Sequence, residues 1–217
     1  MTFSTILFNI ADMIGCVAFA LSGAMVALKH RLDLFGIVTL AVVTALGGGL
    51  TRDLIIGCTP PMMFRDPVYA LVAASVAILI FLVARFSGKF YHRIEPHIEV
   101  LANIFDALGL GAFTVVGMQT GIRYGYSDNG FFLIFLSLIT CVGGGLLRDL
   151  FVQRMPAILH KHVYAVAVLA GAIVYLILYR SGISDVVNVP VTMIMVFIIR
   201  MLATYFHWNL PRIKDIS

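Results

Sequence analysis

Charged residues are scarce in this chain of 217 residues, because Lys, Arg, Asp and Glu together make up only 12% of it. Soluble domains carry about a quarter charged residues, and about half of their residues are apolar. Here 61% of the residues are hydrophobic, and the mean hydropathy is +1.01. This composition excludes a soluble globular domain and predicts an integral membrane protein. The net charge of +4 does not indicate nucleic acid, since Lys and Arg also collect in the cytoplasmic loops of membrane proteins.

Cysteine is scarce too, and Cys16, Cys58 and Cys141 are scattered without metal-ligand spacing. We therefore expect no disulfide framework, no metal site and no cofactor. Phosphate-binding and dinucleotide-binding motifs are missing, as is a nucleophile beside a base, so we do not expect an enzyme. Basic residues are missing before Lys29, so the first apolar segment lacks the charged start of a signal peptide and should be a retained helix.

Long apolar runs are what the chain has in abundance. A helix needs roughly 20 residues to cross a hydrocarbon core of about 30 Å. The connections between the runs are too short for a soluble domain, so the sequence predicts an all-α membrane protein with a single transmembrane domain. Seven predicted spans lie near residues 4–28, 34–56, 67–85, 98–119, 130–153, 162–179 and 189–206.

The loop Lys and Arg residues predict the orientation, because they favour the cytoplasmic side. With the N-terminus outside the cell, nine of them lie inside and three outside. We therefore expect a multi-pass protein of a prokaryotic plasma (inner) membrane with a cytoplasmic C-terminus. The inner set is Lys29, Arg31, Arg85, Lys89, Arg93, Arg154, Lys161, Arg212 and Lys214, and the outer set is Arg65, Arg123 and Arg180.

An internal repeat relates the first three spans to the next three. The repeats cover about residues 4–85 and 98–179, and the last helix, about 189–206, has no counterpart. Three spans are an odd number, so the second copy enters the membrane upside down, as in transporters built from inverted repeats. The matches are Asp12, Gly15, Phe19 and Gly23 with Asp106, Gly109, Phe113 and Gly117; Thr44 with Thr140; and Pro61, Val68, Tyr69 and Ala70 with Pro156, Val163, Tyr164 and Ala165.

Three consecutive glycines interrupt the second span, and three more interrupt the fifth. Glycine in a helix costs about 1 kcal/mol relative to alanine, so each run predicts a break or kink in its helix. In a bilayer, freed backbone groups are tolerated only against protein or a water-filled cavity. The pattern favours a polar pathway at membrane depth over a packing kink without one. The predicted pore-lining glycines are Gly47, Gly48, Gly49, Gly143, Gly144 and Gly145.

Two carboxylates and two hydroxyls lie inside the apolar spans near these glycines. Asp12 and Asp106 either attract a cation or partner a buried arginine, or they act as structural caps for the broken helices. Thr44 and Thr140 lie one turn before the glycines, where each hydroxyl could coordinate an ion or bond the preceding turn of its own helix. The residues alone leave both alternatives open.

An Arg-Asp pair follows each glycine run, Arg52-Asp53 in the first repeat and Arg148-Asp149 in the second. A single arginine near a helix end can extend to the lipid headgroups, but that does not explain the same order at the same spacing twice. An unpaired arginine in a pathway repels cations. A cation pathway therefore requires that the aspartates neutralise both arginines, or that the arginines form part of a gate.

These paired motifs resemble those of prokaryotic members of the trimeric intracellular cation (TRIC) channel family, whose bacterial relatives are also described as a glycine transporter family. The resemblance covers nearly the whole chain. It implies a homotrimer with one pore in each protomer, helices kinked at Gly47–Gly49 and Gly143–Gly145, and conduction of monovalent cations, chiefly potassium. Animal members carry a basic lipid-binding motif near the first glycine run; here that stretch reads Thr51-Arg52-Asp53.

Three classes of function follow, of which a potassium-permeable channel is the leading hypothesis. A secondary carrier for a small amino acid such as glycine is the alternative, because broken helices serve carriers equally well. A structural scaffold is the third class. We expect potassium only as the permeant ion, further copies of the chain and the lipid bilayer as partners, and no nucleic-acid or soluble protein partner. The sequence is compatible with a bound lipid.

Overall fold

The structure is a computed structural model that describes residues 3–87, 95–160 and 163–208, with only the backbone of residue 160. In these ranges the regular structure is entirely helical, with one 3-10 turn at Glu95–His97. The nine α-helices there are α1 (Phe3–Lys29), α2 (Leu34–Ile56), α3 (Met62–Arg65), α4 (Val68–Phe86), α5 (Ile98–Arg123), α6 (Gly130–Phe151), α7 (Ala157–His160), α8 (Tyr164–Arg180) and α9 (Asp185–Tyr205).

Six of these helices are long and apolar enough to cross a membrane, namely α1, α2, α4, α5, α6 and α9. The predicted all-α membrane fold is therefore confirmed. Helix α8, the sixth predicted span, is apolar but only 17 residues long, which is the lower end of the lengths that span a bilayer. Of the seven predicted spans, the described residues thus contain six long apolar helices and one shorter apolar helix.

Helices α1 and α5 pack against each other at the centre of the bundle through a reciprocal aromatic contact. Phe19 lies against Gly109 and Phe113 lies against Gly15, and a Cβ atom on either glycine would meet the opposing ring. The two rings pack edge to face with centroids 5.0 Å apart. The same pair of contacts made in both directions is what a two-fold axis between α1, α2, α4 and α5, α6, α8 would produce.

Both α2 and α6 remain helical through their glycine runs, so of the two predicted alternatives, a break or a kink, the break does not occur. The glycines mark the place where the two helices cross at backbone contact. A Cβ atom on Gly48 would lie 2.0 Å from the carbonyl oxygen of Thr140, and one on Gly144 would lie 2.0 Å from that of Thr44. Small residues allow membrane helices this close approach, and the packing offsets the poor helix propensity of glycine.

Two short helices, α3 and α7, lie within stretches expected to be loops. The backbone N–H of Met62 donates to Asp53 Oδ2 at 2.9 Å, and that of Ala157 donates to Asp149 Oδ2 at 2.8 Å. The aspartate of each Arg-Asp pair therefore holds the start of the short helix that follows, as a capping carboxylate does. Several of the loop Lys and Arg residues used to predict orientation lie outside the described residues: Lys89, Arg93, Lys161, Arg212 and Lys214.

Candidate functional site

A cavity of about 460 Å³ lies at the end of the bundle where α1 begins and α5 ends. We call it the wide cavity. Helices α1, α2, α4 and α5 form most of its wall, with α3 at its edge. It reaches Gly49 and Thr140, so two of the predicted pore-lining residues face it. Its charged lining residues are Asp12, Arg52, Asp53, Asp66 and Arg123.

Asp12 and Arg52 are close to each other in the wide cavity but have different partners. Arg52 donates from Nε and Nη2 to Asp53 Oδ1, at 2.9 and 2.8 Å, and is only 7% exposed. Asp12 is half-buried and lies within hydrogen-bonding reach of the Tyr69 side chain. Because Asp53 already pairs with Arg52, Asp12 lines the cavity with Tyr69 as its hydrogen-bonding neighbour.

The equivalent cluster in the second repeat is tightly packed around Arg148. Its Nη1 donates to Asp106 Oδ1 at 2.6 Å and to the Ser22 hydroxyl at 2.7 Å, and its Nε donates to Asp149 Oδ1 at 2.9 Å. Arg154 adds two more bonds to the same Asp149 oxygen, at 2.9 and 2.6 Å. Arg148 is 3% exposed and Asp149 is fully buried, so this cluster is a closed network of ion pairs.

The space beside this second cluster is a crevice of about 30 Å³ at the opposite end of the bundle. We call it the narrow crevice. It is lined by Ser22, Lys29, Glu99 and Arg200, among others. Arg200 comes from α9, where its guanidinium lies 4.8 Å above the Tyr164 ring and donates to Asn103 Oδ1 at 2.9 Å. The helix outside the repeat therefore adds a buried cation to one of the two clusters.

The two cavities are separated along α1 by Phe19. Cys16 lines the wide cavity and Ser22 lines the narrow crevice, and Phe19 lies between them with no exposed surface. Phe19 packs on Phe113 and lies close to Gly144 at the α2–α6 crossing. The aromatic pair and the glycine crossing therefore separate the two cavities.

The threonines use their hydroxyls for the helix backbone. Thr44 Oγ1 donates to the Leu40 carbonyl and Thr140 Oγ1 donates to the Leu136 carbonyl, both at 2.6 Å. Of the two alternatives, bonding to the preceding turn is therefore the one observed. Thr140 also lines the wide cavity, whereas Thr44 is fully buried at the glycine crossing.

The glycines also divide between packing and site positions. Gly47, Gly48, Gly143 and Gly144 are packed between α2 and α6. Gly145 lies beside the second cluster, where a Cβ atom would be 3.1 Å from the Tyr164 hydroxyl. Only the last glycine of each run therefore adjoins the charged groups.

Five residues of the two clusters received no role from the sequence. The tyrosines had a signal, because both belong to the repeated Val-Tyr-Ala stretch. Ser22 and Arg200 had none, since neither belongs to a repeated motif, and Arg154 was counted only as a loop cation. In the described part of the chain, no group of three or more His, Cys, Asp or Glu side chains is placed to hold a metal ion. The residues concerned are Ser22, Tyr69, Arg154, Tyr164 and Arg200.

Comparison with known proteins extends these observations. The profile of a family described as "Glycine transporter" matches residues 9–85 and again residues 103–180, so the two matches coincide with the two repeats. The "UPF0126 inner membrane protein YadS" of Escherichia coli (strain K12) is 30% identical over 201 residues, which is 92% of this chain and 93% of that protein.

Solved structures of TRIC cation channels have the same fold. One is 32% identical with a TM-score of 0.82 and covers 100% of both chains. The TRIC trimeric intracellular cation channel orthologue from Rhodobacter sphaeroides is 29% identical with a TM-score of 0.83, covering 92% of this chain and 98% of that one. Both likenesses extend over the whole bundle.

Proposed function

Because the chain belongs to the Glycine transporter family and its structural neighbours are TRIC cation channels, we propose that it conducts monovalent cations, chiefly potassium. The pathway runs through each protomer of a homotrimer, from the wide cavity past Phe19 to the narrow crevice. The observation that carries this proposal is the wide cavity itself, in which Asp53 neutralises the buried Arg52 and Asp12 lies in the cavity wall.

The sign of the permeant ion follows from the charges around the wide cavity. Three carboxylates, Asp12, Asp53 and Asp66, line it together with two arginines, Arg52 and Arg123. The net formal charge of these groups is therefore −1, which favours cations over anions. A monovalent ion is the better match, because a divalent metal is usually bound by several carboxylates and carbonyls in a dedicated shell.

Conduction requires the centre of the bundle to open. The Phe19–Phe113 pair blocks the route from one cavity to the other, so α1 and α5 must separate there or the rings must rotate. The ion would then contact water and the oxygens of Asp12 and Tyr69. It would not contact freed backbone carbonyls, since α2 and α6 are not broken.

Assembly and location follow from the relatives. The Rhodobacter sphaeroides neighbour is described as trimeric, and YadS is described as an inner membrane protein. We accordingly propose a homotrimer in a prokaryotic inner membrane, with the N-terminus outside and the C-terminus in the cytoplasm.

Recordings from purified protein in planar bilayers test the proposal. We expect unitary potassium currents, and we expect Asp12→Asn to lower their amplitude about twofold to threefold at low salt, where a lost charge is least screened. Asp128→Asn is the matched control, because it removes the same charge from an exposed loop at the same end of the bundle. Absence of unitary currents from the unmodified protein would contradict the proposal.

A carrier for a small zwitterion such as glycine is the second candidate, and the unequal cavities favour it. Two repeats related by a two-fold axis enclose about 460 Å³ on one side and about 30 Å³ on the other. Opening on one side at a time is how inverted-repeat carriers work. Such a carrier would show saturable, selective uptake of labelled amino acid into proteoliposomes and no discrete currents.

A further inference from the structure

Each of the two openings has a basic residue at the end of an equivalent helix. Lys29 is the last residue of α1 and lines the narrow crevice, and Arg123 is the last residue of α5 and lines the wide cavity. The two positions are 94 residues apart, as are Asp12 and Asp106 of the repeat. The repeat therefore places one cation at each end of the proposed pathway.

The two cations differ in how they are neutralised. Lys29 Nζ forms an ion pair with Glu99 at the start of α5. The position equivalent to Glu99 in the first repeat is Thr5, which carries no charge. Arg123 instead lies over the Phe8 ring, with its guanidinium carbon 3.8 Å from the ring centroid. Among the described residues, none of the carboxylates forms an ion pair with Arg123.

An aromatic ring holds a guanidinium in place but does not cancel its charge. Phe8 therefore fixes a full positive charge at the mouth of the wide cavity, whereas Glu99 neutralises Lys29 at the mouth of the narrow crevice. A cation that approaches from the Arg123 side meets repulsion before it reaches Asp12. On the other side, the ion pair with Glu99 removes the repulsion that Lys29 would otherwise exert on an approaching cation.

We propose that Arg123 limits the rate at which cations enter the wide cavity, and that it makes the conductance rectify. This inference rests on the proposed cation conduction. Current carried by cations from the Arg123 side is the smaller limb of the current–voltage curve, and current from the Lys29 side is the larger limb. Phe8 is a positioning residue in this arrangement, because it acts only by holding Arg123.

The size of the effect follows from the Coulomb interaction in water. A unit charge about 8 Å from the ion's path changes the local cation concentration about twofold. The Debye length is about 30 Å at 0.01 M salt and about 3 Å at 1 M. The rectification ratio should therefore be about two in 10 mM KCl and close to one in 1 M KCl.

Single-channel current–voltage curves in symmetric 10 mM and 1 M KCl test the proposal. Arg123→Gln should raise the smaller limb about twofold in 10 mM KCl and leave the larger limb unchanged. Thr5→Glu should do the same with Arg123 still present, because position 5 lies one turn from Phe8 on the same face of α1 and matches Glu99 in the other repeat. Glu99→Gln should instead lower the larger limb, since it leaves Lys29 unpaired.

Arg180→Gln serves as the control, because Arg180 is an exposed arginine at the same end of the bundle that bonds the Asp128 carbonyl. If the unmodified protein conducts but neither Arg123→Gln nor Thr5→Glu changes the smaller limb, the inference is wrong and the proposed function stands. If the unmodified protein gives no potassium current, the proposed function fails and the inference fails with it. Should Arg123→Gln not assemble, the Thr5→Glu result decides alone.

Discussion

Replacing Gly48 by alanine tests whether the glycine runs are packing contacts. The new Cβ atom would lie 2.0 Å from the Thr140 carbonyl oxygen, and the neighbouring backbone carbon would be 2.9 Å away. Neither atom is on a flexible side chain, so α2 and α6 must move apart. Overpacking of this kind costs about 3 kcal/mol, and the better helix propensity of alanine returns about 1 kcal/mol. We therefore expect Gly48→Ala to be destabilised by about 2 kcal/mol net.

Thermal unfolding of the detergent-solubilised protein measures this loss. For a chain of this length, about 2 kcal/mol corresponds to a fall in Tm of roughly 4–8 °C. Gly49→Ala is the matched control, because the atom nearest to its Cβ would be the Arg52 side chain at 3.6 Å, an ordinary contact. Its Tm should stay the same or rise slightly. Equal losses of Tm in the two variants would refute the reasoning, since a general need for helix flexibility would not separate adjacent glycines.

Three further predictions concern the charged clusters, the central constriction and the orientation. Asp149→Asn should lower the free energy of unfolding by about 3 kcal/mol or more. This loss should exceed that of Asp53→Asn, because Asp149 is fully buried and pairs with both Arg148 and Arg154. Chemical denaturation measures the free energy of unfolding of both variants. Phe19→Ala should cost about 3–5 kcal/mol and raise unitary conductance by widening the constriction, whereas Phe35→Ala, at a residue 78% exposed, should do neither. A C-terminal reporter should be active only in the cytoplasm.

The helical membrane fold and the repeat could be predicted from the sequence because both depend on short stretches of residues and not on how the helices pack. Apolar runs of sufficient length indicate spans regardless of how they pack. Matched residues at one offset indicate the repeat, and the structure adds the reciprocal Phe19–Gly109 and Phe113–Gly15 contacts. The pairing of Asp106 with Arg148 could be anticipated in kind, since a buried carboxylate and a buried arginine each need a partner. Which oxygen faces which nitrogen depends on the packing of three helices.

The close packing of the two glycine runs could not be predicted from either helix alone. Three glycines in an isolated helix lower its stability, so a break is the expected result. In the bundle each run faces the other one. The Cα of Gly48 would be only 3.0 Å from a Cβ atom on Gly143, and that approach of two backbones requires both partners to lack side chains. The low helix propensity of glycine destabilises each helix alone, and the contact between α2 and α6 offsets that cost. The sequence of either helix by itself does not reveal this contact.

The two repeats share the same motif residues, but the cavity beside the second repeat's Arg-Asp pair is much smaller than the cavity beside the first. Residues outside the motifs account for this difference. Ser22 and Arg154 both bind the Arg148 cluster, whereas the equivalent positions in the other half are Val116 and Cys58. The second cluster thus has two polar partners that the first lacks, which is consistent with its narrow crevice. Breaking one buried ion pair by removing its partner costs about 3–5 kcal/mol. Opening that side must therefore hydrate the Arg148 cluster as a unit, because releasing Arg148 alone would leave an uncompensated charge inside the membrane.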